Sequence, residues 1–383
     1  MRSNILFIAV GDGGSDESLL LLLKNLDQNL FCPIVLVNRN GRKRLIPELI
    51  NINIRYVEMP FGMDMYPKVS NGLSKYIKFI IKLFLNQFLN FITFFRLLLF
   101  CVFNKIKIIH TNSSCIQIGV KVAKILKIFH VWHFREFQDL DFNLKPLWTK
   151  TGFDKLKFHS INLNIAVSKE IFLYHKLRPN DEVIYNGIER EVYFTSIKKE
   201  KYFLFVGRIT ENKGAREIIN CFIEFLKINP GYKLKLAGVI NHDYFNLLKS
   251  EINIKDNLDH IDFLGYVSDA NKLMGNATAF IMGSSFEAFG RVTAEAMANK
   301  CLVIGKDNGG TKEQFDLGKS TFGKEIALRY NNEDELLKCM LIAVKENNQS
   351  SEMIERAYAC VGNFYQLDNY VKNVSNVYIK LLS

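Results

Sequence analysis

Short unbroken apolar runs alternate with helical patterns along the chain, and that alternation limits the fold more than any other feature. Six runs come first, at residues 5–10, 33–37, 54–58, 106–110, 130–134 and 163–168. Six more follow at 202–208, 232–238, 261–266, 278–283, 301–305 and 326–330. A strand wetted on one face alternates apolar with polar residues, whereas a parallel strand covered on both faces reads as a continuous hydrophobic run. With helices between them, the runs predict an α/β protein of two Rossmann-like, doubly wound domains facing each other across a cleft. The polar stretch 189–201, EREVYFTSIKKEK, separates the two sets and reads as the linker. A length of 383 residues also favours two domains over one. The expected boundaries are 1–188, 189–201 and 202–362, with 363–383 as a terminal helix carrying apolar residues at helical spacing.

The segment GSSFEAFGRVTAEAMANK, 283–300, carries the most chemistry. An apolar run enters a polar turn, and a helix-forming stretch leaves it. Glu287 falls on the turn and Glu295 eight positions later, inside the helix. Backbone N–H groups at a helix start favour an anion over the turn. A carboxylate at that mouth and another along the helix suit a ligand with a phosphate and several hydroxyls, which describes a sugar nucleotide. Earlier in the same half, Arg208 and Lys213 flank a loop that enters a helix, so two cations could converge on a diphosphate. The turn after the first strand, Gly11-Asp12-Gly13-Gly14-Ser15-Asp16, lets backbone approach a bound group closely. Its spacing does not meet G-x-G-x-x-G, so a plain strand–helix turn reads equally well.

Charge is distributed unevenly. The net charge is +11, yet no Asp or Glu occurs between Met65 and Phe134, where ten Lys and Arg fall. Inside that region, 76–103 is strongly apolar: YIKFIIKLFLNQFLNFITFFRLLLFCVF. Spanning a bilayer needs about 20 predominantly apolar residues. Lys82, Asn86, Gln87, Asn90 and Arg96 interrupt this stretch, and a central Arg is costly in hydrocarbon. A helix lying in the interface of an anionic membrane suits the mixture; the other reading is a helix buried against a sheet with a basic outer face. Nucleic acid is not expected, because the aromatic residues do not form stacking platforms. Seven scattered cysteines without a C-x-x-C pair fit free thiols, and the apolar start is too short for a signal peptide, so a cytoplasmic location is expected.

Several motifs in order bring out a resemblance. FVGRITENKG (205–214), the pair Glu287/Glu295 within GSSFEAFGRVTAEAM (283–297) and NGGTKE (308–313) resemble family 4 of the retaining glycosyltransferases, which have the GT-B fold. GDGGSDES (11–18), IIHTNSS (108–114), VWHFRE (131–136), IAVSKEI (165–171) and VIYNGIE (183–189) are fainter matches. The resemblance implies an acceptor-binding first domain, a nucleotide-sugar-binding second domain, and a terminal helix that crosses back to the first. It implies that Arg208 and Lys213 hold the donor diphosphate without a metal, and that Glu295 binds the ribose. Glu287, with the backbone of Ala288, Phe289 and Gly290, would grip the donor sugar. Gly13 and Gly14 would close over the diphosphate, and His133 would act near the reacting sugar; for His133 a buried, hydrogen-bonded imidazole is the other reading.

The implied function is transfer of a sugar, UDP-linked rather than GDP-linked, to a lipid-linked or glycan acceptor. The implied setting is bacterial surface polysaccharide synthesis (O-antigen or capsule), at the inner face of the cell membrane. No cofactor or metal is expected. Asp139-Leu140-Asp141 has the D-x-D form of a metal site but lacks a suitable strand before it, and the histidines lack ligand spacing. Two other activities stay open: a GT-B sugar-nucleotide epimerase, and a non-catalytic sugar-nucleotide-binding partner. The sequence departs from the family after AEAMA, where Asn299-Lys300-Cys301-Leu302-Val303 occurs in a stretch that usually holds a Gly and then a Pro, and at Asp16, where Glu is usual.

Overall fold

The structure is a computed structural model that describes residues 2–9, 13–38, 43–67, 73–147, 150–189, 199–251, 255–345 and 348–383. Gly11, Asp12 and residues 190–198 of the expected linker lie outside the described residues. Two compact units result: 1–187 together with 367–383, and 188–366.

The strands of the first unit are β1 (Ser3–Ile8), β2 (Phe31–Val37), β3 (Arg55–Glu58), β4 (Met65–Pro67), β5 (Ile106–Thr111), β6 (Phe129–Phe134), β7 (Leu144–Pro146), β8 (Asn162–Ala166) and β9 (Glu182–Val183). Seven form one sheet in the order β3-β2-β1-β5-β6-β8-β9. Each neighbouring pair is parallel. The unbroken runs are explained by cover on both faces. Ile5 and Phe7 of β1 enter one core with Leu19, Leu22 and Leu23, while Leu6 and Ile8 enter the other with Leu97, Ile118 and Val122. β4 and β7 form a separate antiparallel pair, Met65 opposite Pro146. Three residues are too few to show a period in sequence.

The terminal helix Leu367–Leu382 belongs to this unit. Its Tyr370, Val374, Val377 and Tyr378 are buried in the core that holds Ile5 and Phe7. The preceding helix, Asn348–Phe364, stays with the second unit. The change of unit comes at 366–367, four residues beyond the start expected for the terminal segment.

In the second unit, β10 (Glu200–Val206), β11 (Lys233–Ala237), β12 (Ile261–Gly265), β13 (Ala277–Met282), β14 (Val303–Lys306) and β15 (Leu328–Tyr330) form a parallel sheet. Its order is β12-β11-β10-β13-β14-β15. The chain winds outward from β10 in one direction, returns beside β10 with β13, and winds outward the other way. The gap between β10 and β13 is thus the topological switch point, where open α/β sheets leave a crevice at their carboxyl ends. In the first sheet the same point falls between β1 and β5.

The long helix Leu73–Phe103 does not match the reading that gave it a basic outer face. Its inner face mixes apolar Leu97 and Cys101 with buried Asn90 and Thr93. Asn90 exchanges hydrogen bonds with the backbone of Gly62, and the Thr93 hydroxyl donates to the carbonyl of Pro60. The outer face is apolar: Ile77, Ile81, Phe84, Phe88, Phe95, Leu99 and Val102 are all exposed, Phe84 by 71%. These positions recur at helical spacing and make one stripe. Exposed Lys78, Lys82 and Arg96 are the cations scattered along it.

Candidate active site

Three loops meet at the carboxyl ends of β10, β13 and β14 in the second unit. Arg208 follows β10 and is exposed; Lys213 ends the short helical turn Glu211–Lys213, just before the helix Ala215–Leu226. Glu287 lies in the loop after β13, and its Oε2 accepts from Lys213 Nζ at 2.8 Å. The two loops are also sewn together by backbone, with Ser285 N donating to Asn212 O at 3.0 Å. Close approach is what glycine supplies here. Gly214 has φ +75°, and a Cβ on it would lie 2.2 Å from the carbonyl oxygen of Gly283.

The third loop, at 308–310, supports the turn that carries Glu287. Gly310 N donates to Glu287 O at 2.6 Å, and Asn308 Nδ2 to Ser285 O at 2.6 Å. A Cβ on Gly310 would meet Phe289 Cα at 2.6 Å and Ala288 O at 2.7 Å, both backbone atoms that cannot give way. Gln314 Nε2 donates to the carbonyls of Phe289 and Gly290 at 2.5 and 3.1 Å. Phe289 is buried and packs edge-on against Tyr365. Gly290 takes φ +82° as the residue before the helix Arg291–Ala298. Glu295, one turn inside, receives Arg291 Nε at 2.6 Å and is half-buried.

Sequence reasoning named Arg208, Lys213, Glu287, Ala288, Phe289, Gly290 and Glu295, and all seven sit on these loops or on the helix they feed. Arg291 and Gln314 carry no role in that reading, and Gly309-Gly310 enters it only as part of the NGGTKE motif. Arg291 was legible as the residue four before Glu295 on one helix face. The glycines were legible as a helix start directly after an apolar run, the same pattern as 283–290. Asn299-Lys300 ends the helix without glycine: Lys300 adopts φ +48° and its ammonium reaches Glu355 at 2.7 Å.

The remaining candidates, Gly13, Gly14 and His133, lie in the first unit near its own switch point. Gly13 takes φ +121° before the helix Gly14–Asn25. Asn112, after β5, binds the carbonyl of Ser15 at 3.0 Å and accepts from Arg135 Nε at 2.8 Å. His133, near the end of β6, is fully buried. Its Nδ1 lies 3.3 Å from His110 Nε2 and 3.2 Å from an Arg135 amino group. Arg135 also donates to Asn186 and to the hydroxyl of Tyr370, while His110 Nδ1 lies 2.6 Å from the hydroxyl of Tyr378. Burial, reinforced by the Arg135 charge and then by His130 at His110 and by His110 at His133, holds both imidazoles well below the ordinary histidine range. His133 Nε2 has no hydrogen-bond partner among the described residues. His133 is therefore a neutral ring inside a polar network, one nitrogen uncommitted.

Asp139 and Asp141 are engaged in local structure. Asp139 accepts from the Tyr174 hydroxyl and from Leu140 N, and Asp141 from Phe137 N at 2.9 Å. Among the described residues no group of three His, Cys, Asp or Glu is placed to hold a metal ion.

Two parallel, doubly wound sheets with a loop cluster of this kind at a switch point define a GT-B protein. Residues 190–359, within the second unit, match the family described as "Glycosyl transferases group 1". An uncharacterized glycosyltransferase of Methanocaldococcus jannaschii is 33% identical over 155 residues, which is 35% of this chain and 39% of that protein. The match thus spans less than half of that relative. The alpha-monoglucosyldiacylglycerol synthase of Acholeplasma laidlawii is 22% identical over 306 residues, 72% of this chain and 75% of that one. The crystal structure of Anabaena HepE in complex with UDP-glucose superposes with a TM-score of 0.77 at 18% identity, covering 99% of this chain and 100% of that one. At that identity the likeness establishes the fold.

Proposed function

We propose that this chain is a retaining glycosyltransferase of family 4 type, moving a sugar from a nucleotide donor, UDP-linked rather than GDP-linked, to a lipid-linked or glycan acceptor. The observation that carries the reading is the Lys213–Glu287 pair at the switch point of the second sheet, where one cation and one carboxylate already stand 2.8 Å apart. A sugar diphosphate presents the complementary pair of groups: anionic oxygens for Lys213 and Arg208, and hydroxyls for Glu287 and Glu295. The two cations would neutralise charge as the diphosphate leaves, which is electrostatic stabilisation of an oxocarbenium-like transition state. The helix starts at Ala215 and Arg291 add partial positive charge on the same side.

Glu287 is a poor double-displacement nucleophile, since its carboxylate is already committed to Lys213. Attack from the leaving-group face, with the departing phosphate taking the acceptor proton, fits the residues better. We assign Gly13 and Gly14 to the diphosphate; His133, fully buried here, would serve the reacting sugar only once its Nε2 is uncovered. The exposed apolar stripe of Leu73–Phe103, edged with lysines, would rest the enzyme on the inner face of an anionic membrane. Surface polysaccharide or glycolipid synthesis is the setting such an acceptor implies, and the transfer needs no metal.

Titration calorimetry with UDP and GDP, each with and without EDTA, tests the donor assignment. Wild type should bind UDP more tightly than GDP, with no effect of EDTA. Lys213→Ala removes a charge-assisted contact of about 1.5–3 kcal/mol, so affinity should fall tenfold or more. Absence of binding by either nucleotide would overturn the reading.

A further inference from the structure

Beside the long helix Leu73–Phe103, within the first unit, lies a cavity of about 490 Å³ whose apolar wall is formed by Phe91, Phe94, Phe95, Ile118, Ile125 and Leu156. That volume is in the range of small-ligand sites. Phe91, Phe95 and Ile125 both line the cavity and stand exposed, Phe91 and Ile125 by 62% each. Its mouth is therefore continuous with the exposed apolar stripe of the helix.

The polar groups of the wall are unequal. Asp64 is buried and neutralised, accepting from Lys121 Nζ at 2.8 Å and from Gln117 N at 2.9 Å. Lys124, one helical turn on from Lys121, is exposed and forms no ion pair among the described residues. Asn90 is committed to Gly62, and Gln87 Nε2 is the one buried donor of the wall without a partner among the described residues, so a sugar in this space would leave most of its hydroxyls against phenylalanine and isoleucine. A hydrocarbon chain would not. An apolar recess opening onto a membrane-facing stripe, with one uncommitted ammonium beside it, has the chemistry of a lipid with an anionic head.

We propose that this cavity takes the hydrocarbon chain of an anionic membrane lipid, its phosphate-bearing head meeting Lys124. This rests on reading the chain as a membrane-side glycosyltransferase, and it narrows the acceptor to a lipid. The chain would enter from the bilayer in which the stripe lies, leaving the head group and whatever it carries outside the cavity.

The test uses the full chain and cis-parinaric acid, an anionic fatty acid that fluoresces on burial, displaced by dodecyl phosphate or by dodecanol below micelle formation. Saturable binding of one probe per chain is expected. Leu156→Trp, which fills the cavity, should weaken it at least tenfold. Ile125→Glu, at an exposed rim position where folding is not at risk, should do so several-fold. Lys124→Glu should weaken dodecyl phosphate several-fold and leave dodecanol unchanged. Absence of saturable binding, or equal binding by wild type and both rim and cavity variants, overturns the proposal. UDP binding is measured on the same samples. Chain binding without UDP binding would uphold the cavity and remove the transferase reading, whereas UDP binding without chain binding would remove the cavity alone.

Discussion

Acidification should destabilise the first unit, and the size of the effect follows from four buried histidines. His110, His130 and His133 have no solvent exposure and His175 very little. Burial lowers all four, His130 to about 3 and His175 to about 4, with Arg135 adding to the effect at His110 and His133. A histidine whose folded value lies below its unfolded one stays neutral in the fold while the unfolded chain takes up a proton. Stability is then intact above the unfolded value, near 6.5, and is lost as pH falls below it. Between pH 7.5 and 5.5 each histidine should cost a little over 1 kcal/mol, so the four together cost about 5 kcal/mol. Asp141 acts in the opposite sense. Burial pushes its carboxyl up to about 6, so it takes up a proton in the fold first and returns about 1 kcal/mol over the same range. Glu136, also raised by burial, has the same sign. The net loss is about 4 kcal/mol, a large part of a typical domain's stability. Urea denaturation at pH 7.5, 6.5 and 5.5 would measure it. Both tryptophans of the sequence fall in the first half, and Trp132 is fully buried beside His130, so fluorescence follows this unit. A midpoint unchanged or raised at pH 5.5 would refute the assignment of neutral, buried imidazoles.

Other outcomes can be checked with single variants. Gly310→Ala should abolish UDP binding while the protein stays folded, since its Cβ would strike the backbone at Ala288 and Phe289 and shift the turn that carries Glu287; calorimetry beside circular dichroism separates the two effects. Tyr378→Phe removes the hydroxyl that meets His110 Nδ1 in a fully buried site, so it should cost about 1–3 kcal/mol in urea denaturation. Replacing Ile81, Phe84 and Phe88 together by Ser should leave the melting temperature nearly unchanged, because all three are exposed, yet cut sedimentation with phosphatidylglycerol vesicles severalfold.

The sheets were legible because parallel strands covered on both faces leave a mark that short windows can show. All twelve expected runs correspond to strands, and Ile5 through Ile8 illustrate why, alternate residues feeding two different cores. The three strands that escaped, β4, β7 and β9, are two or three residues long, below the length at which periodicity exists. The loop cluster of the second unit was legible from residue chemistry at fixed spacing, since Lys213 and Glu287 are 74 positions apart yet end adjacent strands. What sequence could not give was the lining of the long helix. Asn90 and Thr93 look like interruptions in an apolar stretch, but they point inward to satisfy the carbonyls of Gly62 and Pro60, and the apolar residues face out. The partners are 28 and 33 residues away, so a helix read by itself has no way to reveal which face is which. His133 is similar. Of its two readings the buried imidazole is the one found, in a network where His110 and Arg135 reach Tyr378 and Tyr370 of the terminal helix, more than 230 residues away.

The most direct measurement is sugar transfer itself. Wild type and Glu287→Ala would be incubated with UDP-glucose, UDP-N-acetylglucosamine or GDP-mannose, each labelled in the sugar, on vesicles of bacterial lipid extract with EDTA present. Label should pass from one UDP-sugar into the lipid phase with wild type, in an alkali-stable α linkage for a donor of α configuration, and not with the variant. Label reaching neither lipid nor glycan from any donor, or transfer undiminished in Glu287→Ala, would contradict it.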